Sequence, residues 1–526
     1  MLRTIRIILA LLSFTAITLL FVDFTGYAGA HWGWLAKWQF MPALLSLNIV
    51  VLAAIIAATF LFGRVYCSVL CPLGVFQDIV SRLRIIFTPR RKRRIGVFRY
   101  RRAADVVRRS ILVCFVVLII LALTNLVAAV FASLIEPYAM YGRIASGLEA
   151  PLVLWLNNIL ADYATAHGSF SFYHVYEATS MLVTGVGAVT FVLITVSAAL
   201  GGRWYCNTVC PVGTTLGFAS RHALMKPVIN LDACNGCRSC ERHCKASCID
   251  AKNHYIDLSR CVACMDCIGQ CSQNAISFGI RPRQGKPSPG PVKPAPTAPA
   301  ENGIEPMTPD SQGRRNFMIG LGVVAGAAVA HASHSLNDGA LTPVTARKPV
   351  RRHSRVVPAG AVSYAHLNQH CVGCQLCIRN CPNGVLKAST DPETFMQPVL
   401  DYTEGYCPPE CNACSQICPA GAFHPVDEAA KAAIKVGTAV VDPDICIAAT
   451  QGVDCGNCER HCPVGAITMY WVTDDEDDTR SIPVINENAC IGCGACEAHC
   501  PAGHVESTRT DRAAIHVEGV SVHREI

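Results

Sequence analysis

The sequence contains no Cys-x-x-Cys-His motif, the pattern by which haem c is attached covalently. It also contains no nucleotide-binding fingerprint and no pattern typical of a flavin or molybdenum site. No basic face is interleaved with aromatic residues, which argues against nucleic acid as a partner. Any haem c that exchanges electrons with this chain would therefore have to belong to a partner, and its own cofactors must be inferred from the residues that are abundant.

Cysteine is abundant, at 30 of 526 residues. A disulfide scaffold is a poor explanation, because disulfide-rich proteins are usually short and secreted. The chain is 51% hydrophobic and its mean hydropathy is positive, at +0.33, which suits a membrane protein better than a soluble one. The length is sufficient for several domains.

Four groups of four cysteines follow one another in the C-terminal part, and each group ends in Cys-Pro. Three thiolates at or near Cys-x2-Cys-x2-Cys spacing wrap one corner of a [4Fe–4S] cluster, and the fourth typically ligates a different cluster. Zinc fits less well, because structural zinc sites use two Cys-x-x-Cys pairs with a long spacer. We therefore predict four clusters that carry single electrons. Their ligands are Cys371, Cys374, Cys377 and Cys381, then Cys407, Cys411, Cys414 and Cys418, then Cys446, Cys455, Cys458 and Cys462, and finally Cys490, Cys493, Cys496 and Cys500.

The pairing between these groups is open at this stage. Cys381 could complete the cluster of the neighbouring Cys407 group, or it could be exchanged in a nested manner with the Cys490 group.

Two further groups form a two-cluster ferredoxin pattern, which brings the predicted number of clusters to six. Neither group ends in Cys-Pro, and Cys248 offers a second candidate for a fourth ligand, although we favour Cys244. The expected exchange assigns Cys234, Cys237, Cys240 and Cys271 to one cluster, and Cys261, Cys264, Cys267 and Cys244 to the other.

The first 222 residues contain four apolar runs. Each is long enough to cross a hydrocarbon core of about 30 Å at a helical rise of about 1.5 Å per residue. Residues 81–109 contain twelve Lys and Arg against one Asp, so the positive-inside rule places this loop and the N-terminus in the cytoplasm. The loop at 133–178 would then lie outside. The predicted spans are 5–25, 46–63, 111–132 and 179–200.

A short motif, Arg-x-Tyr-Cys-x3-Cys-Pro-x-Gly, occurs twice, with Cys67 and Cys71 and with Cys206 and Cys210. Cysteines four apart on a helix share one side, and the repetition indicates a duplicated two-helix unit. These thiols could form a redox pair, ligate a metal or face a cluster module. A turn motif whose thiols merely pack is the alternative.

Two other residues, one in the predicted third span and one just beyond it, have weaker signals. Cys114 is expected to be a packed, inert thiol. Glu136, at the outer end, is a candidate proton acceptor for a quinol, although a solvated helix end is the favoured interpretation.

A proline-rich segment at 281–312 is predicted to be an extended tether. Arg314 and Arg315, followed by Phe317 and a weakly hydrophobic run, are typical of a twin-arginine export signal. A short span or a buried helix is the alternative. Export in the folded state would allow the clusters to be inserted before the thiols meet an oxidising compartment. Cleavage after Ala332 is open.

Residues 1–280, with their spans, Cys-x3-Cys-Pro motifs and two-cluster tail, resemble the NapH-type membrane ferredoxin proteins. Residues 313–504 resemble the NapG/MauM-type proteins, in the twin-arginine segment and in Gly405-Tyr-Cys407-Pro-Pro-Glu-Cys411. In that family the pair takes electrons from quinol and passes them to a periplasmic reductase, as in anaerobic respiration, or to methylamine dehydrogenase maturation. The fusion and the Cys244-Lys-Ala-Ser-Cys248 variant depart from the pattern.

The predicted fold is therefore multidomain, with an α-helical membrane domain of four spans, a fifth signal or anchor helix, and α+β ferredoxin-like [4Fe–4S] modules. The resemblance implies a protein of the bacterial inner membrane that passes electrons from quinol to a periplasmic reductase or cytochrome partner, with quinone as a further cofactor. A redox maturation factor is the alternative. The predicted segments are 1–222 (membrane), 223–280 (cytoplasmic two-cluster module), 281–312 (linker), 313–335 (signal or anchor) and 336–526 (periplasmic four-cluster domain).

Overall fold

The computed structural model describes residues 2–88, 98–122, 126–167, 169, 172–175, 181–280, 348–475, 478–502 and 512–526. The predicted linker and twin-arginine segment lie outside the described residues, as does the centre of the basic loop.

Three helices are apolar and long enough to cross a membrane, by length and composition: Leu2–Val22 (α1), Pro137–Ala166 and Met181–Gly201 (α12). A shorter apolar helix covers Ile49–Phe62 (α5). α1 and α12 coincide with the first and last predicted spans, and α5 lies within the second. The apolar helices indicate membrane association.

The third predicted span differs from the structure. Its residues belong to two helices, Asp105–Ala122 (α8) and Leu126–Ile135 (α9), on either side of three undescribed residues. The predicted outer loop, in contrast, contains the candidate span Pro137–Ala166. The apolar run there is interrupted by Arg143, whose guanidinium is buried and donates to the carbonyl of Ser133 at 2.7 Å. Counting apolar residues therefore misses this helix.

Pro137–Ala166 is continuous but not uniform. It consists of Pro137–Ile144 (α10), a π-helical turn at Ala145–Glu149, and Ala150–Ala166 (α11). Short helices connect the longer ones in the membrane domain. They are Tyr27–Trp32 (α2), Trp34–Lys37 (α3), Phe40–Leu45 (α4), Tyr66–Val69 (α6), Pro72–Phe87 (α7), Trp204–Thr208 (α13) and Pro211–Ser220 (α14).

The cysteine-rich parts are built from two-stranded antiparallel sheets and one-turn helices. In the first module, Met225–Ile229 (β1) pairs with Ile276–Ile280 (β4), and Ile249–Asp250 (β2) pairs with Tyr255–Ile256 (β3). In each half, a one-turn helix begins two residues after the second cysteine of the triplet. These helices are Ser239–Arg242 (α15), after Cys237, and Asp266–Gly269 (α16), after Cys264. The two halves repeat the same βα arrangement, as expected for a ferredoxin-like fold.

The C-terminal part contains three more sheets. Leu386–Ala388 (β5) pairs with Pro398–Leu400 (β6), Ile434–Val441 (β7) with Ile515–Glu525 (β10), and Ile467–Asp475 (β8) with Asp478–Ile485 (β9). β7 and β9 contain the short apolar stretches 438–441 and 481–485, whose composition predicts strands of a ferredoxin fold. The helices are Tyr364–His370 (α17), Leu376–Arg379 (α18), Ala413–Ile417 (α19), Glu428–Ala433 (α20), Ile447–Gln451 (α21), Asn457–Arg460 (α22) and Ala495–Ala498 (α23), with a 3-10 turn at Pro392–Thr394.

The two cysteine-rich parts contact opposite ends of α1. At its start, Arg3 Nε lies 2.9 Å from Asp266 Oδ1 of the first module. At its end, the side chain of Asn380 donates to the carbonyl of Leu20 at 3.2 Å, and that of Arg379 donates to the next carbonyl at 3.2 Å. A helix of 21 residues rises about 30 Å, so the two contact points are about one hydrocarbon thickness apart.

The second of these contacts is close-packed. A Cβ atom on Gly142 of α10 would lie 2.5 Å from the carbonyl oxygen of Cys374. Only glycine permits the backbone of this cysteine loop to approach the helix so closely. The Arg143 side chain reaches the same loop, with Nη2 3.5 Å from the carbonyl of Val372.

Asp78 on α7 joins the membrane domain to the first module. Its carboxylate is 3% exposed and lies 2.7 Å from Arg203 Nε, 2.9 Å from Lys245 Nζ and 3.2 Å from Arg6 Nη1. Lys245 in turn contacts Asp266 at 2.9 Å. Burial alone would raise the pKa of Asp78, but Arg203, Lys245 and Arg6 together hold it well below its usual range.

We expect Asp78→Asn to lower the free energy of unfolding by about 3–5 kcal/mol, because three buried cations lose their shared anion. Denaturant titration of the detergent-solubilised chain measures the change. Asp105→Asn is the matched control, since the side chain of Asp105 is 47% exposed and its ion pairs should contribute less than about 1 kcal/mol. Equal effects of the two substitutions would contradict the role of Asp78.

Candidate metal centres

Four of the six loops that contain the cysteine triplets share one backbone conformation. In the loop around Cys374, the residues on either side, Gly373 and Gln375, have φ angles of 61° and 66°. Left-handed residues next to each other or nearly so turn successive backbone N–H groups inward, and such concave nests bind anions, iron–sulfur clusters among them. The same pair of positive φ angles occurs at Gly236 and Arg238, at Ala263 and Met265, and at Gly492 and Gly494.

Several of these positions are not glycine. Arg238, Ala263, Met265 and Gln375 adopt the left-handed conformation with φ between 50° and 66°. Side chains with a Cβ rarely adopt it, and it costs about 1–3 kcal/mol per residue unless the surroundings enforce it. This unfavourable conformation recurs at equivalent positions of several loops, as expected if a bound cluster enforces it.

The two predicted ligand sets of the first module each surround a cavity. Apolar residues such as Ile229 and Phe278 complete the walls. One cavity is lined by Cys234, Cys237, Cys240 and Cys271, and the other by Cys244, Cys248, Cys261, Cys264 and Cys267.

Cys248 is as well placed as Cys244 in the second cavity. Their sulfurs lie 3.6 Å apart, both are buried, and Cys248 also interacts with Cys261. The structure therefore brings both candidates for the fourth ligand to one place, and the preference for Cys244 stays a prediction.

In the C-terminal domain, the last cysteine of each group lies beside the group next to its own. Cys418 is an electrostatic neighbour of the thiols at 371, 374 and 377, and Cys381 is a neighbour of Cys407 and Cys414. Cys462 is likewise a neighbour of Cys493. A cavity is lined by Cys446, Cys455, Cys458 and Cys500. The arrangement favours exchange between neighbouring groups over the nested alternative.

Within the part of the chain that the structure describes, no three His, Cys, Asp or Glu side chains are close enough to share a single metal ion. The grouped thiols instead surround larger volumes. Their spacing fits a polynuclear cluster better than zinc, which requires ligand atoms about 2.0–2.3 Å from one ion.

The two Cys-x3-Cys-Pro motifs have the same structure as each other, but not the one predicted. Cys67 lies in α6, whereas Cys71 is the extended residue that precedes α7, with ψ 113°. Cys206 and Cys210 are divided in the same way between α13 and α14. The prediction that each pair shares one side of a continuous helix is therefore wrong. The following proline forces the second cysteine out of the helical conformation.

All four of these thiols are buried and brought together. Arg64 donates to the carbonyl of Cys206 at 3.1 Å, and Arg203 donates to the carbonyl of Cys67 at 2.7 Å. The arginine of each motif thus donates a hydrogen bond to a backbone carbonyl of the other motif. Each of these arginines precedes the first cysteine of its motif by three residues and belongs to the repeat, but the reciprocal contacts depend on the tertiary structure.

Two smaller predictions are wrong. Cys114 is exposed on α8 rather than packed, so its side chain faces away from the protein. Glu136 is only 2% exposed and caps α10 by accepting from the N–H of Ala139, so it is not a solvated helix end.

Two family models match the chain. A 4Fe–4S binding domain matches residues 45–96 and again residues 183–230, and each match contains one Cys-x3-Cys-Pro motif. A 4Fe–4S dicluster domain matches residues 451–504. The chain is a ferredoxin-type iron–sulfur protein. No solved structure is significantly similar to it.

Similar proteins include the uncharacterized protein MJ0749 of Methanocaldococcus jannaschii, 23% identical over 48% of this chain and 79% of that protein. The methylamine utilization ferredoxin-type protein MauM of Methylobacillus flagellatus is 30% identical over 26% of this chain and 59% of its own length. The ferredoxin-type protein NapG of Escherichia coli is 32% identical over 26% and 62%. The chain thus spans less than two thirds of MauM and NapG. These similarities support iron–sulfur electron transfer.

The cluster pairing can be tested by EPR spectroscopy of single-cysteine variants after dithionite reduction. We expect Cys381→Ser and Cys411→Ser to remove or alter the same signal, because both thiols would ligate one cluster. Cys418→Ser should instead affect the signal that Cys374→Ser affects. If Cys381→Ser and Cys493→Ser shared a signal, exchange would be nested and this arrangement would be wrong. Cys114→Ser, an exposed thiol outside the groups, serves as the control.

Proposed function

We propose that the chain is a membrane-bound electron conduit with six [4Fe–4S] clusters, which passes electrons from quinol to a periplasmic reductase or cytochrome partner. One observation carries the proposal: the two cysteine-rich parts contact opposite ends of α1, about 30 Å apart. Such a placement suits transfer of charge across the bilayer rather than along one surface.

When bound, each cluster supplies one-electron chemistry at a potential set by its surroundings. The residues of the chain hold it and set that potential. Inward-facing N–H groups of the cysteine loops stabilise negative charge, as does Lys431, whose Nζ lies 3.3 Å from Cys407 Sγ. The cluster of the Cys407 group should therefore have a higher potential than it would without Lys431.

A quinol that gives up its electrons must also release its protons, so its site needs a proton acceptor that water does not reach freely. Glu136 is buried, and among the described residues the hydroxyl of its neighbour Tyr138 has no partner. Tyr138 is also close to Cys374 and Cys418. A quinol head group beside Glu136 and Tyr138 would therefore transfer one proton to the Glu136 carboxylate, next to the Cys371 cluster. Its second proton would follow once Glu136 has released the first.

The proposed sidedness follows from charge and from export. The N-terminus and the basic loop lie in the cytoplasm with the two-cluster module, which contacts the start of α1. The end of α1 and residues 336–526 then face the periplasm of a bacterial inner membrane. The twin-arginine segment at 313–335 would carry this domain across in the folded state.

A second function is supported by the similarity to MauM, whose name associates it with methylamine utilization. In that case the same conduit would supply electrons to the maturation of a metalloprotein rather than to a terminal reductase. The two functions share the electron path and differ in the acceptor that docks to the C-terminal domain.

Substitution of Glu136 tests the quinol site. We expect Glu136→Gln to slow the bleaching of cluster absorbance by a quinol analogue at least tenfold, since general-base contributions are typically about 10²–10⁴-fold. Reduction by dithionite should be unchanged, because it requires no proton acceptor. Glu149→Gln, in the same helical segment, is the control. Equal rates for Glu136→Gln and the unsubstituted chain would exclude Glu136, and no bleaching of the unsubstituted chain would exclude quinol as the donor.

Protease treatment of intact spheroplasts tests the sidedness. We expect the C-terminal domain to be digested while the two-cluster module is protected, and both to be digested once the membrane is permeabilised. Epitopes placed after residue 526 and within residues 250–255 report the two domains separately. Full protection of the C-terminal epitope in intact spheroplasts would place all clusters in the cytoplasm.

A further inference from the structure

The cysteines of the two Cys-x3-Cys-Pro motifs form a buried site of their own. Cys67, Cys71, Cys206 and Cys210 are each between 4 and 6% exposed and belong to none of the ferredoxin-type groups. Cys67 and Cys206 are electrostatic neighbours of both Cys71 and Cys210. Four thiols from two distant parts of the sequence thus line one place inside the membrane domain.

Hydrogen-bond donors are directed at these sulfurs. The backbone N–H of Gly213 lies 3.3 Å from Cys210 Sγ, and Gln77 Nε2 lies 3.3 Å from Cys206 Sγ. Arg64 Nη2 and Arg203 Nη1 lie 3.8 Å from the sulfurs of Cys67 and Cys206, respectively. N–H donors around thiolates are what stabilises sulfur that carries negative charge.

The buried charges around these four thiols favour a bound anion. Four buried cations lie around the two motifs, and among the described residues they form ion pairs only with Asp78 and Asp266, so they outnumber their carboxylate partners by two. Among the described residues, Arg64 Nε and Arg203 Nη2 also have no hydrogen-bond partner. Unpaired buried charge is strongly unfavourable. The four cations are Arg6, Arg64, Arg203 and Lys245.

We propose that Cys67, Cys71, Cys206 and Cys210 together ligate a seventh [4Fe–4S] cluster, which connects the two cluster modules. With four thiolates, such a cluster carries a net charge of about −2 or −3 and would offset the excess positive charge. Each motif supplies only two ligands, so the two matches to the 4Fe–4S binding domain would describe two halves of one site. The connecting role rests on the proposed function, but the ligation does not.

The site lies between the two modules. On one side, the side chain of Asn207 donates to the carbonyl of Ala246 at 3.1 Å, and the N–H of Arg203 donates to that of Lys245 at 2.8 Å, next to Cys244 and Cys248. On the other side, Tyr66 is a neighbour of both Cys71 and Tyr138.

Tyr138 in turn adjoins Cys374 and Cys418 of the C-terminal domain. One electron would therefore move from a reduced cluster of one module to this site and then to an oxidised cluster of the other. At each step the donor cluster is oxidised by one electron and the acceptor reduced by one. No bond is made or broken and no proton is required.

Metal analysis of the full-length chain, purified anaerobically in detergent, tests the ligation. We expect Cys67→Ser, Cys71→Ser, Cys206→Ser and Cys210→Ser each to lose about four iron and about four acid-labile sulfide per chain, together with the same single EPR signal. Persistence of the other signals shows that the variant is folded. Cys114→Ser, the exposed thiol of α8, should lose nothing.

Unchanged iron and EPR signals in the four variants would overturn the proposal, as would loss of one zinc ion with iron retained. Arg64→Gln keeps all four thiols and provides a second test. It should keep the iron but lower the midpoint potential of that one signal, because a nearby cation favours the more negative reduced form. A potential identical to that of the unsubstituted chain would place the cluster elsewhere.

The connecting role has a separate readout. In Cys206→Ser, dithionite should still reduce all six ferredoxin-type clusters, whereas a quinol analogue should reduce only those of one module. Reduction of all six by the quinol analogue would overturn the connection. Failure of the quinol analogue to reduce any cluster in the unsubstituted chain would instead contradict the proposed function and leave the metal analysis unaffected.

Discussion

The carboxylate of Asp78 is the point at which the separate parts of this molecule are held together. It forms ion pairs with three cations from three segments: Arg6 of α1, Arg203 of the second cysteine motif and Lys245 of the first cluster module. In a low-dielectric interior none of these charges is tolerated alone, so each segment is stable in place only when the others are present. The membrane helices and the first module therefore form one structural unit rather than two tethered domains.

This unity affects how a chain of clusters would behave. Each electron that arrives would add a negative charge, and where the ligating thiols are buried the neighbouring clusters would interact with that charge strongly. Midpoint potentials in such a chain belong to the assembly and not to single clusters, in the same way that coupled acids share their titration steps. Fixed cations such as Arg64, Arg203 and Lys431 would raise the midpoint potentials of the clusters nearest to them.

The presence of 4Fe–4S domains could be predicted from the sequence, because the cysteines expected at one cluster corner lie within a few residues of one another. What could not be predicted depends on tertiary contacts. The partner of Cys381 and the gathering of Cys67 with Cys206 require segments that are distant in sequence to meet. Helical periodicity does not predict the break at Cys71, which the following Pro72 imposes. A count of apolar residues does not predict the helix at Pro137–Ala166, because this helix contains Arg143, whose buried guanidinium donates to the carbonyl of Ser133.

The left-handed residues of the cysteine loops have a consequence for the life of the protein in the cell. Arg238, Ala263, Met265 and Gln375 adopt conformations that the bare chain would abandon. When binding a metal group enforces a backbone that is otherwise unfavourable, the binding free energy becomes folding free energy. Newly made chains in an iron-starved cell would thus remain substrates for proteases, and the abundance of the protein would fall with the supply of iron.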